Sequence, residues 1–212
     1  MTDAETMEEV STIPLFPLGT VLFPGGVLPL QIFETRYVDM VRRSMREGSP
    51  FGVVLILEGS DARQQPDEAQ PAIASIGTLA RIVDFTELPN GLLGITARGE
   101  GRFRILETEE QVDRLLVGRV IPMAEPPYTA VPGEYEVLLD ILRQLLEHPA
   151  VNQLDIEADF TDARSVAGRL ADLLPVDPRF KQALLEQEEP LVRLAELERM
   201  VRMMQEQAAS DS

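Results

Sequence analysis

The side chains that could do chemistry are few in this chain, and their spacing suits none of the common catalytic designs. Cysteine is absent, which removes thiolate metal sites, iron–sulfur clusters, disulfides and cysteine nucleophiles together. His148 is the only histidine and Lys181 the only lysine, so a histidine pair, a histidine–base dyad and a phosphate-cradling lysine all lack material. Lys181 follows Phe180 in a helical pattern rather than in a glycine loop, and GxxxxGK[ST] does not occur. No serine lies in GxSxG or SxxK. The acidic run DIEADFTD, 155–162, alternates oxygen ligands as a calcium loop does. However, Phe160 stands where the loop needs glycine and Val166 where it needs glutamate. It is therefore expected to be a loop whose acids cap a helix. RGEGRFR, 98–104, starts like a dinucleotide fingerprint but lacks the third glycine and leads into a strand, which would bury Phe103 and leave Arg102 and Arg104 solvated. His148, between Glu147 and Pro149, is expected at a helix C-terminus, where its protonated ring would favour the dipole. These residues point to a protein that is not an enzyme and needs no cofactor or metal.

Composition narrows the partners. In 212 residues, 36 acidic side chains face 19 basic ones, a net charge of -17, so the average field repels nucleic acid and anionic membrane surfaces. Hydrophobic residues make up 44%, an ordinary globular share. The longest apolar runs, such as FGVVLIL at 51–57, are far short of the roughly 20 residues that span a bilayer. MTDAETMEEVST, 1–12, is acidic, without the basic and apolar regions of a signal peptide. The expected location is the cytoplasm.

The elements that must position any site fall into two halves, an α+β arrangement. Residues 13–122 alternate short β-branched runs with Gly, Pro and Asn signals, as strands and turns do. Asn90–Gly91 marks a hairpin within 79–97, and further strands are expected at 51–57, 101–107 and 115–121. One helix interrupts them, with Tyr37, Met40, Val41 and Met45 on one face and Gly48 at its end. The polar segment 59–72 is expected to be a loop. A Pro-rich linker, 123–133, leads into a helical half at 134–206, followed by a polar tail at 207–212. Four amphipathic helices are predicted there. One starts near Pro132, one is capped by Thr161 or Asp162, one by Asp177 ahead of Pro178, and one opens at Pro190. Their apolar stripes require a small bundle docked on a barrel-like sheet.

The most unusual segment is IPLFPLGTVLFPGGVLPLQIFE, 13–34, densely apolar and broken by Pro14, Pro17, Pro24 and Pro29. Each proline removes a ladder donor, so the segment should run as extended pieces at an edge or around a barrel. Its unpaired backbone and apolar side chains suit an extended peptide. Phe16, Leu22, Phe23 and Phe33 are the groove candidates, with Arg36 and Tyr37 on the following helix as a polar rim.

This segment carries a family resemblance. IPLFPLGTVLFPGGVLPLQIFETRY at 13–37, GTLARI at 77–82 with GEGRFRI at 99–105, and LLPVDPRFKQALLEQEEPLVRL at 173–194 together resemble the LON domain, the N-terminal substrate-binding domain of Lon ATP-dependent proteases, also found in cereblon. The resemblance spans roughly residues 10–206. It implies a β-rich pseudobarrel related to PUA-like folds, a four-helix bundle behind it, and recognition of unfolded or exposed apolar segments. Lon proteases continue into an ATPase module and a serine–lysine protease module, and no residue of either has a counterpart here. The implied protein is a non-catalytic polypeptide-binding module, an adaptor or chaperone-like holder, monomeric or weakly self-associating, with a protease or chaperone as a further partner. Two alternatives stand beside it: an RNA-binding PUA-like module, and an accessory subunit of a separately encoded protease.

Overall fold

The computed structural model describes residues 10–60 and 70–210. Most of the segment expected to loop between 59 and 72 lies outside them. The strands are β1 (Ser11–Leu18), β2 (Val27–Ile32), β3 (Phe51–Glu58), β4 (Ala72–Ile73), β5 (Ile76–Glu87), β6 (Leu93–Glu110) and β7 (Leu116–Pro122). The helices are α1 (Thr35–Glu47), α2 (Glu136–Glu147), α3 (Pro149–Asn152), α4 (Ala163–Leu173), α5 (Pro178–Glu186) and α6 (Pro190–Ser210). The architecture is α+β, with a mostly antiparallel sheet.

Five strands close on themselves in the order β1, β7, β6, β5, β3 and back to β1. The closure depends on how β1 carries its prolines. Ser11 to Pro14 pair antiparallel with β7, and Leu15 to Leu18 pair parallel with β3. Each residue of β1 therefore has one ladder neighbour, so Pro14 and Pro17 sit in a continuous strand without interrupting two ladders. β6 is long enough to leave the barrel. Its first residues pair with β2 on one side and the end of β5 on the other, forming a three-stranded arm. The β5–β6 turn places Gly91 at φ +77°, the left-handed conformation its sequence signalled.

On α1 the buried face is Tyr37, Met40, Val41 and Ser44, and Met45 is exposed. At 3.6 residues per turn, position i+7 from Tyr37 falls in line with it and i+8 does not. The helical half begins where the sequence signals it. Asp162 and Asp177 each accept a backbone N–H two residues on, from Arg164 and Arg179, and Pro178 and Pro190 open their helices. His148 stands at the C-terminus of α2 as expected, its backbone N–H donating to Leu145 O, and it also caps the start of α3, where its Nδ1 accepts the Ala150 N–H at 3.3 Å. Pro149 opens α3.

The two halves share a core. Val21, Phe23, Leu55, Ala74 and Ile76 from the sheet side pack in one cluster with Leu138, Leu142, Val166, Leu170, Leu184, Leu194 and Leu197 from the helices. A second cluster fills the barrel beneath α1, around Phe16, Phe51 and Tyr37. The Pro-rich connection is stitched to the start of α4 by Val131 N–H to Thr161 O and Ala163 N–H to Thr129 O. Among the described residues, no helix is long and apolar enough to cross a membrane.

Candidate functional site

The six residues singled out in the sequence do not gather into one groove. Phe16 lies in the barrel core, its ring stacked on Tyr37 with centroids 4.0 Å apart. Leu22 is buried, and its carbonyl accepts the buried Thr78 hydroxyl at 2.6 Å. Phe23 is fully buried between sheet and helices. The reason is common to Phe16, Leu22 and Phe23: barrel closure on one side and α4 on the other cover the segment that its prolines had marked as an edge. Arg36 is no exposed rim residue either. Its guanidinium bonds Glu34 Oε2 at 2.8 and 3.0 Å, donates to Arg114 O at 2.8 Å and lies over the Tyr37 ring. It locks α1 to the β6–β7 turn. Phe33 alone stands in solvent, 66% exposed.

Among the described residues, two places stand out by what lines them. The first is the arm. β2 pairs only with β6 among the described residues, leaving its outer edge unpaired. The arm also exposes Phe85 (59%) and Val83. A shallow cavity of about 320 Å³ opens there between Pro29, Leu30, Phe85, Leu88 and Ile95. Sequence reasoning missed Phe85, although an aromatic between Asp84 and Thr86 in a hairpin strand was a visible signal.

The second is a cleft of about 270 Å³ where the halves meet, with the Phe23–Gly25 segment on one wall and α4 on the other. Four arginines line it: Arg102, Arg164, Arg169 and Arg193. Arg164 pairs with Asp162 at 2.6 Å and donates to Pro126 O at 2.7 Å. Arg169 sits 3.0 Å from Asp172 and donates to Pro24 O at 2.5 Å. Burial pushes the Asp172 carboxyl up to about 6, against the opposing pull of Arg169, the Phe23 N–H and Lys181. Arg102 corrects the sequence reading. It is only 4% exposed because α5 covers its side of β6, and its Nη1 donates to Leu185 O at 2.9 Å. Arg104, one strand step further along the same face, remains exposed. Among the described residues, no group of three or more His, Asp or Glu side chains could hold a metal ion.

A family model describing the ATP-dependent protease La (LON) substrate-binding domain matches residues 12–203. The chain belongs to that family. This LON domain is 34% identical to the Lon N-terminal domain protein from Xanthomonas campestris, whose crystal structure superposes with a TM-score of 0.71 over 88% of this chain and 96% of that one. The N-terminal domain of a Mycobacterium avium complex Lon protease, 20% identical, shares the fold at a TM-score of 0.59. Among full-length relatives, the Lon protease of Phenylobacterium zucineum is 28% identical over 86% of this chain, and Lon protease 2 of Myxococcus xanthus 27% over 82%. The LON domain spans only 23% and 21% of their respective lengths.

Proposed function

We propose that this LON domain is a non-catalytic holder of polypeptide, taking unfolded or exposed apolar segments as an adaptor or chaperone-like module in the cytoplasm. The observation that carries the reading is the arm, whose free β2 edge is followed by exposed Phe33 and which exposes Val83 and Phe85 on β5, across β6. Strand addition along that edge supplies affinity from main-chain hydrogen bonds, and the aromatics supply tolerant apolar contacts. Its family membership supports substrate recognition of the Lon kind. The net charge of -17 weighs against the RNA-binding alternative.

The test is a titration of a fluorescently labelled unfolded peptide into the wild type and into a Phe33→Ala, Phe85→Ala double variant. Affinity should fall while the denaturant midpoint stays near that of the wild type. An unchanged affinity overturns the assignment to the arm. Raising salt separates the readings: apolar peptide binding should persist, whereas RNA binding would collapse. The reading also expects the purified chain to turn over neither ATP nor casein.

A further inference from the structure

Arg102 on β6 and Arg193 on α6 meet in the interdomain cleft with their charges unmatched. Both are more than nine-tenths buried, at 4% and 5% exposure. Both reach the same acceptor, Gln187 O, beyond the end of α5: Arg193 through Nε at 2.7 Å and through Nη2, and Arg102 through Nη1 at 3.5 Å. Among the described residues neither has a carboxylate oxygen within 4.0 Å. The other two arginines of the cleft are already committed to Asp162 and Asp172. Glu188 and Glu125 act on Arg102 only from a distance. Burial, reinforced by repulsion from Arg102, pushes the Arg193 guanidinium down to about 10.

The carbonyls at the end of α5 explain part of this arrangement, since a helix C-terminus carries roughly half a negative charge. Two guanidinium groups leave more than one positive charge over, in a place where an unpaired charge is costly. Donors are left over as well. Each guanidinium has five N–H groups, and Arg102 Nη2 and Arg193 Nη1 bond nothing within the described protein.

We propose that the cleft is a receptor for one carboxylate group, gripped between Arg102 and Arg193. A planar carboxylate matches the guanidinium fork and offsets most of that surplus charge. Glu100, Glu125 and Glu157 on the same walls oppose a more highly charged and bulkier anion such as phosphate more strongly than a single carboxylate. Resting on the polypeptide-binding reading, the carboxylate is carried by the bound chain, as an Asp or Glu side chain or as its C-terminus.

The decisive measurement needs no variant. Acetate is titrated into the wild-type protein at constant ionic strength, balanced with NaCl, while the arginine Nε–H resonances are followed by NMR. The Arg102 and Arg193 signals should move together and saturate. A uniform drift of all arginines, or stronger competition by inorganic phosphate than by acetate, overturns the site. Arg193→Gln should weaken acetate binding about tenfold or more, and Arg193→Lys, which keeps the charge but loses the fork, should fall between. A folded Arg193→Gln protein that binds acetate as the wild type does also overturns it.

Peptide pairs then separate the two ideas. Peptides differing only in a C-terminal acid or amide, or in Glu or Gln, should differ in affinity about tenfold, and the difference should vanish in Arg193→Gln. Peptides that bind with no such preference, and no acetate response, sink the carboxylate site and leave the polypeptide reading standing. If no peptide binds, the polypeptide reading fails and the acetate titration alone decides the site. Acetate binding without peptide preference assigns the site to a free small carboxylate and overturns its place on a bound chain.

Discussion

The backbone N–H of Phe23 donates to Asp172 Oδ1 at 3.1 Å, joining residues 149 positions apart. The bond ties the Pro-rich strand connection to α4, and with it the barrel to the helices. Arg169 adds a second tie from the same helix to Pro24 O. The walls of the arginine cleft are therefore fixed by polar contacts as well as by the shared apolar core.

Asp172 should make this junction pH-dependent. Its folded value of about 6 lies above the roughly 3.9 of an unfolded aspartate. The folded state thus holds this proton more tightly. Its contribution is fully present below about pH 4 and is lost as pH rises through about 6, with an upper bound of about 3 kcal/mol. Asp172→Asn removes the titration. Denaturant midpoints from pH 4 to 7 should show the wild type gaining on the variant as pH falls, and a flat difference would refute this.

Asp162 should act with the opposite sign. Burial raises its pKa, but the hydrogen bonds and charge of Arg164 outweigh burial and hold it below the usual range. Its stabilisation is present above the unfolded value and is lost as pH falls through the lower folded value. Asp162→Ala removes the α4 cap and leaves Arg164 without its nearest partner. A loss of about 2 kcal/mol at neutral pH is expected, together with a shallower acid limb in chemical denaturation.

Gly99→Ala tests how tightly the Phe23 segment is seated on β6. A Cβ there would lie 2.2 Å from Phe23 O, a backbone atom that cannot swing away. The segment is also pinned by Gly25 N–H to Gly99 O and Gly99 N–H to Gly26 O. Destabilisation of about 2 kcal/mol or more is expected. A thermal midpoint equal to the wild type would show that the segment is loose.

The elements were more legible than the surfaces. Asp162, Asp177–Pro178 and Pro190 signal helix starts through contacts within two or three residues, and Asn90–Gly91 signals its turn in the same local way. Burial of Arg102 depends on Leu185 O, 83 residues away, and nothing in RGEGRFR announces it. Phe16 and Phe33 have the same side chain in the same apolar segment. One is sealed because β1 closes the barrel, and the other stays out because it follows β2, where the arm leaves the barrel. Long-range pairing decides such cases, and hydrophobic pattern is blind to it.

Phe23 and Phe85 should therefore behave as opposites under the same substitution. Phe23 has no exposed surface and packs in the cluster that joins sheet and helices, so Phe23→Ala should cost about 3 to 5 kcal/mol. Phe85 is 59% exposed on the arm, so Phe85→Ala should cost less than about 1 kcal/mol. If the arm holds polypeptide, the order reverses for peptide binding by folded protein. Phe85→Ala should weaken it several-fold, while Phe23→Ala should lose binding only in proportion to the unfolded fraction. Urea denaturation of both variants, with peptide titrations at a concentration where each is folded, separates the two effects. A Phe85→Ala protein as destabilised as Phe23→Ala would make Phe85 part of the core and remove the arm from the binding surface.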